Sequence, residues 1–312
     1  MSADLFWVRL GIGAALLGLQ IRAQEVDHLA QAKAYVERRM LTEAETEARK
    51  AIATQADPAT GHYLLGYILF CETKARESLA EYTEGAKHRR PNAADLRIVG
   101  SDYVLLGAYA DADKWFTKAT GFDPVNVQGW YYLGRTKYNE NRFEEAISAF
   151  NRCLDLAPKH VKAEDNIGLS LQALGRTDEA LAAFRTAIAW QSNAQVKDPW
   201  PYIDMGSFLV ETDRAEQAVP YLEQAINLRP DFPRPHQQLG KAFLSLRQLS
   251  RAQSELETAV NLAPGNASAH YVLGQLYQKQ GQVEKAKREF ARFSQLNAGR
   301  PAEENREFHS QP

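Results

Sequence analysis

Cysteine is scarce in this chain: Cys71 and Cys153 are the two among 312 residues. Two thiols cannot staple a chain of this size, so its fold must rest on a hydrophobic core. A hydrophobic content of 45% is that of a folding chain. Charge of either sign is not in excess, since 37 Lys+Arg against 39 Asp+Glu leave a net charge of −2. Without surplus cations there is little counterion release to drive binding to a polyanion, and nucleic acid is excluded as an expected partner. Metal-ligand spacings are missing too: there is no His-Glu-x-x-His, no Cys-x-x-Cys and no closely spaced His/Cys/Asp set. No glycine-rich phosphate loop follows a strand, because no segment reads convincingly as a strand. Neither cysteine has a recognisable histidine partner or oxyanion site. The expectation is a chain without cofactor, metal or catalytic centre.

Long apolar runs are also missing, apart from one near the start. Arg9 precedes an apolar stretch from Leu10 to Leu19, and Ala23 follows. A positive start, a short apolar centre and a small residue at the end fit a secretory signal peptide over 1–23. The run falls short of the about 20 apolar residues of a membrane-spanning helix. The chain is therefore expected to be exported, periplasmic or secreted, with no membrane span after cleavage. An uncleaved N-terminal anchor is the alternative, favoured by Asp4 in the basic region and by bulky Ile21 before Ala23.

What the sequence has in abundance is repetition. Gly66, Gly100, Gly134, Gly168, Gly206, Gly240 and Gly274 follow one another at steps of 34, except for one step of 38 after Gly168. Ala32 extends the series backward by 34. Twelve residues after each stands a small residue: Ala44, Ser78, Ala112, Ala146, Ala180, Ala218, Ala252 and Ala286. Each copy reads as two amphipathic helices. The turn between them carries Gly107, Asn141, Gly175, Asp213 or Gly281, types that accept a left-handed backbone. The second helix is predicted to stop at Pro124, Pro158, Pro230 or Pro264, because proline cannot continue it. The small residues are expected where two helix backbones cross closely. The four extra residues near 191–198 amount to about one helical turn, so the second helix of copy five is expected to be longer.

Trp130, Leu133, Gly134, Ala146, Phe150 and Pro158 carry a pattern that resembles the tetratricopeptide repeat (TPR) family. Lys137 stands where that pattern has tyrosine; Tyr35, Tyr103 and Tyr277 restore it in other copies. The resemblance implies an all-α, right-handed solenoid of about eight helix-turn-helix repeats over 24–300. The repeats start near 25, 59, 93, 127, 161, 199, 233 and 267, and a polar tail follows over 301–312. It also implies a non-catalytic scaffold that binds a peptide or protein segment in a groove lined by first helices. An assembly factor or accessory subunit for envelope biogenesis or polysaccharide secretion is the alternative role, and a second copy of the chain is a further candidate partner.

Carried onto this chain, the family's groove positions hold Tyr63, Tyr67, Arg97, Tyr131, Arg135, Tyr138, Asn166, Arg234 and Lys241 as candidate partner-binding residues. Phe70, Ser101, Asp165, Trp200, Gln237, Tyr271 and Gln275 lie on the same faces. Tyrosine and arginine suit that role, since each joins a large contact area to a polar handle. Arg97, Tyr131, Arg135 and Tyr138 are expected to form its centre, in copies three to five. His28, His62, His236 and His270 occupy the slot of Trp130, where packing between helices is the expected role. Cys71 and Cys153 lie two copies apart, far beyond the about 7 Å Cα limit for a disulfide. They are expected to be buried free thiols.

Overall fold

A computed structural model describes residues 27–54 and 57–298. The segment 1–23 and the tail 301–312 lie outside the described residues. The described residues form sixteen α-helices and no strand, an all-α helical-repeat solenoid. By contact the chain divides into two compact units, Met1–Pro124 and Val125–Pro312. The first unit holds three hairpins: α1 (His28–Glu37) with α2 (Leu41–Thr54), α3 (Pro58–Cys71) with α4 (Ala75–His88), and α5 (Ala93–Leu105) with α6 (Tyr109–Phe122). The second holds five: α7 (Val127–Asn139) with α8 (Phe143–Leu156), α9 (Val161–Ala173) with α10 (Thr177–Trp190), α11 (Trp200–Glu211) with α12 (Ala215–Leu228), α13 (Pro233–Ser245) with α14 (Leu249–Leu262), and α15 (Ala267–Lys279) with α16 (Val283–Asn297).

The two kinds of helix start differently. Several first helices open on an Asp or Asn whose side chain accepts an otherwise orphaned backbone N–H. Asp57 accepts from Thr60, Asn126 from Gly129 and Asn266 from Ala269, while Asn92 and Asp95 form a reciprocal capping box. Second helices from α4 onward have no side-chain cap. They are entered through a residue with positive φ: Gly107, Asn141, Gly175, Asp213 and Gly281 as the sequence predicts, with Arg39, Thr73 and Arg247 in the remaining turns. In the α7–α8 turn, the N–H of Asn141 bonds the Tyr138 carbonyl and that of Arg142 bonds Lys137, which satisfies carbonyls at the end of α7.

All eight small residues of the second helices are buried. At the repeat glycines a large side chain adds to the close helix crossing that the sequence predicts. A Cβ on Gly134 would lie 2.6 Å from the Phe150 ring, and one on Gly168 would lie 2.6 Å from Phe184. Gly206 and Gly240 face Leu222 and Leu256 at 2.5 Å. What approaches the glycine first is the large side chain sixteen residues on, seated against the first helix; at Gly66 and Gly240 the second-helix backbone follows at 3.4 Å. Overpacking there would outweigh the roughly 1 kcal/mol that alanine gains in helix propensity.

The 38-residue step corrects an expectation. Helix α10 ends at Trp190 with 14 residues, the length of the other second helices from α2 to α14. The extra residues form a loop closed by Gln191, which is buried. Its Oε1 accepts the N–H of Asp198 at 2.7 Å and its Nε2 donates to the Asp198 carbonyl at 3.0 Å. Pro199 and Pro201 open α11. Both cysteines are free; Cys153 is buried, but Cys71, expected to be buried, is exposed at the end of α3.

Candidate functional site

In the first unit Tyr63 is buried against Tyr82, with ring centroids 5.7 Å apart, and its hydroxyl donates to the Arg89 carbonyl. Tyr67 is among the exposed large side chains, and Arg97 lies on α5, half-buried. Both are near enough for the Arg97 charge to act on the Tyr67 hydroxyl.

The second unit holds the other candidates. Arg135 places its guanidinium 5.9 Å over the Tyr131 ring. Tyr131 also meets His160 at 5.2 Å and Phe150 at 6.0 Å, and burial pushes its hydroxyl up to about 12. Arg135 and Tyr131 are therefore brought together. Tyr138 stacks edge-on against Phe143 and lies within range of Asp204 and Arg234; burial and then the Asp204 charge raise its hydroxyl. The Asn166 amide donates to the Lys162 carbonyl within its own helix. Arg234 lies 5.5 Å over the Trp200 ring, with Nη2 3.3 Å from Asp204 Oδ1. Asp204 and Asp165 are buried side by side, and burial followed by the Asp204 charge holds the Asp165 carboxyl well above the usual range.

Lys241 is placed differently. It lines a depression of about 400 Å³ on successive first helices, with Val210 from α11, Leu244 and Ser245 from α13, and Ser268, Tyr271, Val272 and Gln275 from α15. That volume falls among ligand-binding clefts. It lies in copies six to eight, downstream of the copies that the sequence points to.

The four histidines are more than packing residues. Their Nδ1 atoms lie 2.6–2.7 Å from Glu47, Glu81, Glu255 and Glu289, each nineteen residues on. His236 and His270 are buried, His28 and His62 half-buried. His236 Nε2 also lies 3.0 Å from the Pro230 carbonyl, which can only accept, so Nε2 is a donor. The bond to Glu255 raises its pKa. The sequence signal was available: glutamate occurs at +19 in each of the four copies that have histidine in this slot.

Buried chemistry in the first unit lies in Ser78 and Asp102, both fully buried. Ser78 Oγ is 2.8 Å from the Gly66 carbonyl and 2.6 Å from Asp102 Oδ2. One hydroxyl proton cannot serve two acceptors well, and a protonated Asp102 donating to Ser78 resolves this. Burial pushes Asp102 up to about 7. An unfolded aspartate titrates near 3.9, so between about pH 4 and 7 the folded state keeps a proton that the unfolded state has lost. Stability therefore falls as pH rises through that window, and levels off above it. Asp102→Asn copies the protonated form. It is expected to gain about 2–3 kcal/mol over wild type between pH 5 and pH 8, measured as the difference between urea unfolding curves. Parallel curves for the two proteins would show that Asp102 is not the titrating group.

Among the described residues no group of three or more His, Cys, Asp or Glu is placed to hold a metal ion, and no helix is long and apolar enough to cross a membrane.

Models of tetratricopeptide repeats match residues 127–160, 165–193 and 201–232, and 243–302. The chain belongs to the tetratricopeptide repeat family. These TPR matches all fall within the second unit. Superkiller protein 3 of Saccharomyces cerevisiae is 30% identical over 92 residues, which cover 30% of this chain and 6% of that protein. A tetratricopeptide repeat protein from Parabacteroides merdae superposes with a TM-score of 0.66 at 19% identity, covering 81% of this chain and 98% of the other. The anaphase-promoting-complex heterotetramer Cut9–Hcn1 gives 0.64 at 17% identity, covering 90% of this chain and 55% of the other. At these identities the structures establish the fold alone. The chain spans about a fifth or less of the length of the first curated relatives. TPR repeats generally mediate protein–protein interaction.

Proposed function

We propose that the chain is a non-catalytic scaffold of the cell envelope that holds a peptide or protein segment along the first helices of its second unit. The observation that carries this reading is the depression on α11, α13 and α15. Donor and aliphatic side chains both line it, and Tyr271, one of the lining residues, is 42% exposed. An exposed tyrosine beside aliphatic side chains is the composition of an interface hot spot. Tyr131, Arg135, Tyr138 and Asn166 extend the candidate surface along α7 and α9, while Tyr67 and Arg97 offer a second one on the first unit. The envelope location rests on the apolar run that ends at Ala23.

Two measurements test the proposal. Pull-down with the mature chain, followed by mass spectrometry and peptide mapping, should return a protein segment whose binding weakens about thirtyfold in Tyr271→Ala, the effect of a hot-spot truncation of about 2 kcal/mol. Unchanged affinity in a normally folded variant would remove the groove from the reading. N-terminal sequencing of the native protein should begin at or near Gln24. An intact Met1 or Ser2 on membrane-embedded material would replace export and cleavage with an anchor.

A further inference from the structure

His236 and His270 are held at both ring nitrogens, and that sets how many protons each must carry. Their Nε2 atoms lie 3.0 and 3.1 Å from the Pro230 and Pro264 carbonyls, which accept only, so both are N–H groups. A neutral imidazole is then left with a lone pair at Nδ1. Opposite it, at 2.7 and 2.6 Å, stand carboxyl oxygens of Glu255 and Glu289. Two lone pairs repel at that distance, so a further proton lies between ring and carboxyl, whichever of the two carries it. His28 and His62 differ. Their Nδ1 atoms meet Glu47 and Glu81 at 2.6 and 2.7 Å, with no bond at Nε2 among the described residues. A neutral ring there donates from Nδ1 and needs no extra proton.

Each pinned histidine clasps three elements. His236 on α13 reaches Glu255 on α14 and the loop after α12; His270 on α15 reaches Glu289 on α16 and the loop after α14. In the other copies the same two positions hold Leu96 and Trp115, Trp130 and Ala149, Glu164 and Ala183, or Tyr202 and Tyr221. Histidine and its glutamate thus occur together or not at all. Glu255 is the charge that acts on His236; Arg229 and Asp231 of the preceding loop lie 3.9 Å from each other, and Arg251 of α14 turns to Glu223. Glu289 faces His270 and also acts on the Tyr277 hydroxyl, which donates to Glu257. The loop from Pro264 to Asn266 carries no charge. We propose that copies seven and eight close on a proton: the His236–Glu255 and His270–Glu289 clasps hold hairpins α13–α14 and α15–α16 shut, and loosen as rising pH removes it. In an unfolded chain histidine titrates near 6.5 and glutamate near 4.3. Between about those values both states carry the proton, and the clasp contributes in full. Above about pH 6.5 folding must take it up, so the contribution falls as pH rises through the folded value, which the Glu255 bond raises for His236. Helices α13 and α15 also line the depression, so its shape follows the clasps. That last consequence rests on the groove reading above.

The test is amide hydrogen exchange of the full chain at about pH 6 and about pH 9, corrected for the intrinsic rate and read helix by helix. Protection of α14 and α16 is expected to fall about tenfold relative to α8, the worth of one hydrogen bond to a charged group. Helix α8 is the reference because its slot holds Trp130 and Ala149. In the double variant Glu255→Gln with Glu289→Gln, an amide N–H donates to the neutral Nδ1 at either pH. The fall in α14 and α16 should then shrink to that of α8. An equal change in all three helices of the wild-type chain would overturn the proposal, whether or not the variant folds. So would a tenfold relative fall that persists in a folded variant. No partner enters the measurement, so it stands or fails apart from the groove reading; weak Tyr271→Ala dependence of a partner would remove the groove and leave the clasps.

Discussion

Phe150→Ala should lower the stability of the second unit by about 3–5 kcal/mol, the cost of deleting a buried aromatic ring. Phe150 is fully buried between Ala146 and Cys153 in the largest cluster of the core, and its ring fills the space that a side chain on Gly134 would take. Gly134 has no side chain to relax into that space. Copies six and seven give an internal comparison, because Leu222 and Leu256 occupy the same slot against Gly206 and Gly240. Phe150→Leu is therefore expected to cost about 1–2 kcal/mol. Urea unfolding followed by far-ultraviolet circular dichroism measures both, with exposed Phe122→Ala as the reference. Equal losses for Phe150→Ala and Phe122→Ala would show that the glycine–aromatic seat is not a main source of stability.

Arg234→Met should cost a similar about 3–5 kcal/mol, for an electrostatic reason. Arg234 offers a positive charge to Asp204, which is 1% exposed and lies beside the equally buried Asp165. Methionine keeps much of the aliphatic stem and removes the cation, leaving two buried carboxyls without it. The double variant Arg234→Met with Asp204→Leu is expected to recover most of the loss, because a buried ion pair exchanged for apolar groups is often close to neutral. Thermal melting of the two variants beside wild type decides the matter. Arg234 was first singled out from its groove position in the repeat. A normal melt combined with weak peptide binding would restore that role and remove the structural one.

The fold was legible because packing rewards the same residue at the same place in each copy. Gly134, Ala146 and Phe150 meet in one hairpin, and their counterparts must meet in the next. Departures from the pattern were harder to read. Asp102 and Ser78 replace residues that are apolar or small in most other copies, and only their joint departure shows that one explains the other. The loop at 191–198 was misjudged because four extra residues suit a helical turn, while they serve equally to lengthen a loop that the Gln191 amide closes. The same groove register leaves Lys241 lining the depression and turns Arg234 to Asp204 and Trp200, because register says which way a side chain starts and its neighbours decide where it ends. The depression depends on the sizes of Val210, Leu244 and Tyr271 together, which no single copy reveals.

The Gln191 clasp has a practical side. Both ends of the loop are pinned by one buried amide, while Ser192, Asn193, Ala194, Gln195 and Val196 are exposed between them. Cutting or lengthening the backbone at the tip leaves the pinned ends where they are, since the one bond these five residues are seen to make to a helix is from the Ser192 N–H to the Ala189 carbonyl, away from the tip. A reporter domain or an affinity tag spliced between Ala194 and Gln195 would ride outside the stack at modest loop-closure cost.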